Sequence, residues 1–239
     1  MKYNFDTVLE RPDSVKWKGL KMIKPDVSPN VVPFTVADME FPLAPEINKG
    51  LKEFLDEAVL GYTARGESYY KAVIGWMENR HNWKIEKEWI IGMDSVLDGV
   101  AGAVKTFTEP GDGIIVMTPI YNPFYTIIEN HGRRIIRSPL IVKEGYYEID
   151  FQNLKENAKM DKSKMIIFCS PHNPVGRVWT KQELEKVVQI AVENNLTIVS
   201  DEIHQDLIMP GNEHTVLANI SAEAAKRTIT CTSATKSFN

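Results

Sequence analysis

From about residue 90 onward, short runs of β-branched and other apolar residues alternate with amphipathic stretches of helical length. This alternation is typical of βα units, in which each helix returns the chain to begin another parallel strand. It predicts an α/β fold built on a mostly parallel sheet. The predicted strands cover residues 89–92, 113–117, 134–138, 164–170, 196–200 and 228–232.

The stretch after Trp179 carries the clearest helix signal. Thr180 and Glu183 have the spacing of a capping box, and apolar residues follow at helical intervals, which predicts a helix over 181–194. Residues 45–60 and 67–80 are also predicted to be helical, whereas prolines interrupt residues 1–40. We therefore expect an irregular arm at 1–45 and one large domain over 46–239.

Composition argues against several classes of protein. The 239 residues carry a net charge of −4 without a run of Lys and Arg, which argues against a nucleic-acid-binding face. No apolar run approaches the roughly 20 residues of a membrane span, and the amino terminus lacks the apolar core of a secretory signal.

Cys169 and Cys231 lie in apolar β-like runs, so we expect buried thiols rather than a disulfide. A cytoplasmic location is the expectation.

Polar and aromatic side chains follow four of the predicted strands. Ligands of open α/β sheets bind beyond the carboxyl ends of the strands, so these residues are candidates for a site. Tyr121 follows the strand at 113, Asn173 the strand at 164, Asp201 the strand at 196, and Lys236 the last strand. Together they match the needs of one cofactor, pyridoxal 5′-phosphate, better than chance placement would.

Lys236 and Asp201 are the central pair of this hypothesis. A partly buried lysine can form a Schiff base through its amine, and a carboxylate can pair with the protonated pyridine nitrogen that makes the ring an electron acceptor. Each residue has an ordinary alternative. Lys236 would otherwise be a solvated charge or, with Ser233, part of a serine-nucleophile motif, and Asp201 a helix cap or a structural ion pair.

The other candidates would hold the ring and the phosphate. Asn173 could donate to the ring oxygen and Tyr121 could stack on the ring, with a turn residue and a core tyrosine as alternatives. Backbone amides at Ser95 and Val96, at a predicted helix start, could bind the phosphate, and Ser233 could add a hydroxyl. For the two serines, a plain N-cap and a turn residue are the alternatives.

A metal site is not expected, because the histidines that follow the strands lack close ligand spacing. These are His172, His204 and His214.

Six sequence motifs resemble those of the class I/II aminotransferase family of pyridoxal-phosphate enzymes, of fold type I. The most specific motifs are residues 170–179 and 201–206, and the others are residues 13–17, 36–42, 61–63 and 119–124. They are most similar to the carbon–sulfur β-lyase branch of the family, the MalY/PatB type of cystathionine β-lyase. Together the motifs span nearly the whole chain.

The resemblance implies a role for each candidate. Lys236 would form the Schiff base, Asp201 would pair with the ring nitrogen, Asn173 would face the ring oxygen, Tyr121 would stack on the ring, and Ser95, Val96 and Ser233 would hold the phosphate. Tyr62 would reach the phosphate of the neighbouring subunit in a homodimer. Ala37 and Asp38 would line the substrate side. His204 would lie near the ring oxygen, with a structural histidine as the alternative.

The implied reaction is cleavage of cystathionine or other cysteine S-conjugates to a thiol, pyruvate and ammonia. An aminotransferase would share Lys236, Asp201 and Asn173, and a regulatory protein that keeps the fold is a further alternative. By the same resemblance, residues 1–45 would contribute to the small domain and the active-site entrance. We expect the large domain to be incomplete at its carboxyl end and the small carboxyl-terminal domain, with its substrate-binding arginine, to be missing.

Overall fold

The computed structural model describes residues 3–7, 9, 11–28, 31 and 33–239, which form two compact units. The first unit comprises the described residues up to Ala64 together with Ala234–Asn239, and the second comprises Arg65–Ser233. The predicted domain boundary at residue 45 stays a prediction.

A five-stranded parallel sheet forms the centre of the second unit, which confirms the predicted fold class. Its strand order is β2-β1-β5-β6-β7. A separate antiparallel hairpin of β3 and β4, which the sequence did not predict, follows β2. The strands are β1 (Gly113–Thr118), β2 (Arg134–Pro139), β3 (Ile141–Lys143), β4 (Tyr146–Glu148), β5 (Ser163–Cys169), β6 (Thr197–Asp201) and β7 (Thr228–Cys231).

Eight helices lie in the described part of the chain: α1 (Val15–Ile23), α2 (Pro45–Glu57), α3 (Glu67–His81), α4 (Val96–Phe107), α5 (Pro123–Asn130), α6 (Phe151–Ala158), α7 (Lys181–Glu193) and α8 (Ala222–Arg227). The predicted helices at 45–60, 67–80 and 181–194 are confirmed as α2, α3 and α7, which begin at the predicted residues and end within one to three residues of the predicted ends. The capping box of α7 is present, because Thr180 and Glu183 each accept the other's backbone N–H.

Successive residues of the central strands face opposite layers of helices. Ile115 and Ile166 pack in the core cluster that contains α6 and α7 residues, whereas Ile114 and Ile167 pack in the cluster that contains α4 and α5 residues. Helices covering both faces explain why the central strands are continuous apolar runs rather than alternating ones. The two predicted buried thiols, Cys169 and Cys231, are free and lie in this core.

The predicted strand at 89–92 is wrong. The chain forms a short 3₁₀ turn at Lys87–Trp89 and continues through Ile90 without regular secondary structure, and Ile91 is exposed. A strand needs a neighbour to accept and donate its main-chain hydrogen bonds. No described strand pairs with this stretch, so its apolar composition alone does not make it part of the sheet.

The first unit contains α1 and α2. α1 lies inside the stretch expected to be irregular, and the side chain of Ser14 caps it by accepting the N–H of Trp17. α2 begins with Pro45 at its first turn, where a proline costs no hydrogen bond. None of the helices in the described ranges is long and apolar enough to cross a bilayer.

Candidate functional site

Four neighbouring strands end at one edge of the sheet of the second unit. In the order β1, β5, β6 and β7, they are followed or closed by predicted site residues. Tyr121 lies three residues after β1, Asn173 four residues after β5, Asp201 is the last residue of β6, and Ser233 lies two residues after β7. The structure therefore brings these predicted strand ends together.

Asp201 is the most strongly perturbed acid at this edge. It is 5% exposed and lies between Cys169 and Cys231 in the registers of the two adjacent strands. Burial raises the pKa of Asp201 to about 6, partly offset by the backbone N–H of Ile203, which donates to Oδ1 at 3.2 Å. No ion pair among the described residues includes Asp201. A desolvated carboxylate of this kind fits a cationic group such as a protonated pyridine nitrogen.

The loop after Asp201 is anchored by Glu202, which sequence reasoning missed. The Glu202 carboxylate is fully buried and accepts hydrogen bonds from Ser200 Oγ at 2.8 Å and the Leu217 N–H at 3.1 Å. It also lies 2.8 Å from His214 Nε2. The Glu202 main-chain N–H donates to the Cys231 carbonyl at 2.8 Å. These bonds fix the backbone immediately after Asp201.

The far end of the same loop is anchored to α3. Asp206 accepts a hydrogen bond from Trp76 Nε1 and lies 2.9 Å from His81 Nε2. Gln205 Nε2 donates to Thr232 Oγ1 at 3.0 Å. The acidic and amide residues of the motif at 201–206 indicate side chains that need hydrogen-bond partners. The sequence does not identify those partners, because they are distant from the motif along the chain. His204 lies half-buried in this loop, and its place near the ring oxygen stays a prediction.

The start of α4 offers backbone amides for an anion. Ser95 is its N-cap: Ser95 Oγ accepts the Asp98 N–H at 3.1 Å and donates to Asp98 Oδ2 at 2.6 Å. The Ser95 hydroxyl and the Asp98 N–H are therefore used by the cap, and the N–H groups of Val96 and Leu97 are the candidate donors to an anion. Gly99 lets this helix approach β7, since a Cβ there would lie 3.3 Å from Cys231 Sγ.

Tyr121 and Asn173 present different degrees of exposure. The Tyr121 ring is 38% exposed and contacts Phe124 edge-on, with ring centroids 5.6 Å apart. It is not a core tyrosine, so one part of the ring is open to a ligand. Asn173 is half-buried, and its main-chain N–H donates to Cys169 Sγ at 3.4 Å.

Lys236 belongs to the first unit. It is half-buried in a turn, and its Nζ donates to the Ala37 carbonyl at 3.1 Å. Asn239 Oδ1 accepts the Met39 N–H at 3.0 Å, and Asn239 Nδ2 donates to the Met39 carbonyl at 3.4 Å, so three bonds join residues 236–239 to the segment at 37–39. Val36 has a φ of 56°, which is a strained backbone conformation for a β-branched residue. Strained backbone conformations of this kind concentrate at functional sites.

Asp38 lies in an ion cluster of the first unit. Its carboxylate is 2.6 Å from both Arg11 Nη2 and Lys16 Nζ, and Lys16 Nζ is also 2.8 Å from Glu40 Oε1. Hydrogen bonding from Lys16, with a further contribution from Arg11, lowers the pKa of Asp38 against the opposing effect of burial. The cluster thus holds the segment that carries Ala37. A direct substrate contact by Asp38 stays a prediction.

The predicted site residues fall into two groups. The second unit contains Tyr121, Asn173, Asp201, Ser233, His204, Ser95 and Val96, and the first contains Lys236, Ala37, Asp38 and the fully exposed Tyr62. The pairing of Lys236 with Asp201 stays a prediction. Among the described residues, no group of His, Cys, Asp and Glu side chains is arranged to hold a metal ion.

Three comparisons agree on the family. The sequence profile of the family "Aminotransferase class I and II" matches residues 29–239. Cystathionine β-lyase PatB of Bacillus subtilis is 41% identical over 238 residues, which are 99% of this chain and 61% of the relative. The chain therefore spans about three fifths of the length of that relative.

Two solved structures extend the agreement to the fold. Cystalysin from Treponema denticola, whose crystal structure contains pyridoxal 5′-phosphate, superimposes with a TM-score of 0.96 at 50% identity. The match covers all of this chain and 61% of the cystalysin chain. The pyridoxal-phosphate-bound C–S lyase of Staphylococcus hominis gives a TM-score of 0.89 at 31% identity. This match covers all of this chain and 61% of the lyase chain. This chain belongs to the class I and II aminotransferase family, close to its cystathionine β-lyases and cystalysin.

Proposed function

We propose that this chain is the cofactor-binding part of a pyridoxal-phosphate-dependent carbon–sulfur β-lyase. Its substrates would be cystathionine and other cysteine S-conjugates, and its products a thiol, pyruvate and ammonia. The observation that carries the proposal is the buried Asp201 carboxylate at an edge where Tyr121, Asn173 and Ser233 follow the neighbouring strands. The likeness to PatB and cystalysin supports the reaction.

The chain's own residues would hold pyridoxal phosphate from several sides. Lys236 would bind it covalently, Asp201 would face the ring nitrogen, Asn173 the ring oxygen, and Tyr121 one ring face, while the α4 amides and Ser233 would bind the phosphate. When bound, this cofactor accepts the electron pair left by a bond that breaks at the substrate Cα.

Asp201 would keep a proton on the ring nitrogen. With a pKa of about 6 the carboxylate is mostly ionised at pH 7, and burial strengthens its attraction for a cation. Binding a cation would in turn favour the ionised carboxylate. The hydrogen bonds of Glu202 and Asp206 would hold Asp201 in place, so the loop would not have to rearrange when the cofactor binds.

Lys236 Nζ would remove the proton from the substrate Cα as a general base. The Cβ–S bond then breaks, the sulfur leaves as a thiolate that takes up a proton, and one water is consumed as the remaining three-carbon unit becomes pyruvate and ammonia. The Ala37 carbonyl, 3.1 Å from Nζ, is suited to hold the amine when it is not covalently bound.

An aminotransferase is the second candidate. The matching family profile is named for aminotransferases, and Lys236, Asp201 and Asn173 would serve either reaction. The reactions differ in whether a leaving group departs from Cβ or the amino group is passed to a keto acid.

A cytoplasmic location is part of the proposal, and the free, buried thiols of Cys169 and Cys231 support it.

Substitution of the lysine tests the cofactor assignment. In the natural protein that carries this sequence, Lys236→Ala is expected to abolish the visible absorbance of lysine-bound cofactor. It should also lower turnover by about 10²- to 10⁴-fold, the usual contribution of a positioned base. Lys155→Ala, at an exposed position of α6, is the control and should leave both unchanged. A borohydride-sensitive band that persists in Lys236→Ala would contradict the assignment.

Incubation with L-cystathionine tests the reaction. We expect pyruvate and ammonia in equal amounts without an added keto acid, because elimination needs only water as a second reactant. Amino transfer that depends strictly on a keto acid, with no pyruvate in its absence, would instead establish the aminotransferase.

We also propose a homodimer in which Tyr62 reaches the partner's phosphate site. The full exposure of Tyr62 and the exposed apolar residues near it, Val59 and Leu60, support this arrangement. Tyr62→Phe should weaken cofactor binding several-fold while light scattering still gives the mass of a dimer. Tyr146→Phe, at another exposed tyrosine, is the control. A monomeric mass for the wild-type protein would exclude the shared site.

A further inference from the structure

His172 is a buried side chain that the proposed chemistry does not use. It is 1% exposed and lies in the loop after β5, one residue before Asn173. Its ring packs edge-on against Trp179, with ring centroids 5.5 Å apart. Its Nε2 lies 2.8 Å from the carbonyl oxygen of Pro119, in the loop after β1. The bond therefore crosses between two loops that follow adjacent strands.

The bond between His172 and Pro119 lies beyond the last paired residues of β1 and β5. The main-chain register between β1 and β5 ends at Val116 and Ile167. Pro119 lies three residues beyond that point on one strand and His172 five residues beyond it on the other. The two loops have thus left the ladder that spaces the strands, and the His172 side chain joins them again.

The protonation of the ring follows from its partner. A carbonyl oxygen only accepts hydrogen bonds, so Nε2 must carry the proton. Burial lowers the pKa of His172, which favours the neutral ring at neutral pH. A neutral imidazole with its proton on Nε2 makes the bond without placing a charge in the core.

The loop is also held at its own ends. Cys169 Sγ accepts the Asn173 N–H at 3.4 Å and donates to the Pro171 carbonyl at 3.3 Å. Burial raises the pKa of this thiol, which therefore keeps the proton that it donates. The main-chain N–H of His172 donates to the Arg177 carbonyl at 2.8 Å and closes the loop. His172 thus links a loop that is already ordered to a second loop.

We propose that His172 is a positioning residue of the cofactor site: through its bond to Pro119 it sets the spacing between the loop that carries Asn173 and the loop that carries Tyr121. This inference rests on the proposed function, because those two residues would contact the ring oxygen and the ring face. His172 itself touches neither the cofactor nor the substrate in this proposal.

The test compares three variants of the natural protein. His172→Phe keeps a ring against Trp179 but removes the donor, and His172→Gln keeps an N–H within reach of the Pro119 carbonyl. His131→Phe is the matched control, since it removes another histidine bond to a main-chain carbonyl, His131 Nδ1 to Ile127 at 2.7 Å. The measurements are the dissociation constant of pyridoxal phosphate and the absorption maximum of the bound cofactor.

His172→Phe is expected to raise the dissociation constant about two- to tenfold, the range that corresponds to one net hydrogen bond, and to shift the absorption maximum. The shift is expected because the donor to the ring oxygen moves, and a loss of stability alone would not cause it. His172→Gln should restore both values, and His131→Phe should change neither. An unchanged constant and spectrum in His172→Phe would overturn the proposal.

A second measurement covers the case in which His172→Phe does not fold. ¹⁵N NMR of the wild-type protein without cofactor should show the His172 ring neutral with its proton on Nε2, and a proton on Nδ1 alone would overturn the proposal. Wild-type protein that fails to bind pyridoxal phosphate would overturn the proposed function, and with it the cofactor role of His172. Normal wild-type binding with an unaffected His172→Phe variant would overturn the positioning role alone.

Discussion

The Asp201 carboxylate is buried at the end of a strand that has a paired neighbour on each side. Desolvation disfavours its charge, and the resulting pKa of about 6 leaves a group that gains most from a cation brought to it. The surrounding structure keeps Asp201 in this environment. Both faces of the sheet are covered by helices, and the loop after β6 is tied down by Glu202 and Asp206.

Parallel strands give the site its geometry. Because their carboxyl ends share one edge, residues far apart in sequence follow neighbouring strands, and short loops carry them. Those loops need their own bonds once the ladder has ended. The Glu202 contacts with Ser200 and Leu217 do this for β6, and the bond from His172 to Pro119 does it between β5 and β1. Buried polar bonds of this kind keep a site in one arrangement before any ligand binds.

Local patterns predicted the elements that local chemistry decides. β1, β5 and β6 were predicted because strands buried on both faces are continuous apolar runs, and α7 because its capping box is contained within four residues. The stretch at 89–92 has the same composition as a strand, but pairing depends on a neighbour that composition does not reveal. The β3–β4 hairpin was missed because its strands are only three residues long and largely exposed.

The candidate site divides in the same way. Positions after the strands could be predicted, since strand ends are readable from sequence. The partners of buried polar groups could not: Glu202 meets His214, Asp206 meets His81, and Asp38 meets Arg11 and Lys16, each across a distance that no local pattern spans. For Ser95 the sequence left open a phosphate ligand or a plain N-cap, and the structure shows that its hydroxyl caps its own helix.

The most direct measurement of the central claim is a ¹³C NMR titration of the Asp201 carboxyl group with and without pyridoxal phosphate. Without the cofactor, the carboxyl should titrate near pH 6 because it is desolvated and unpaired. With the cofactor, a cationic ring nitrogen beside it should lower that pKa well below its cofactor-free value, so that the group stays ionised. A titration that does not move when the cofactor binds would contradict the account.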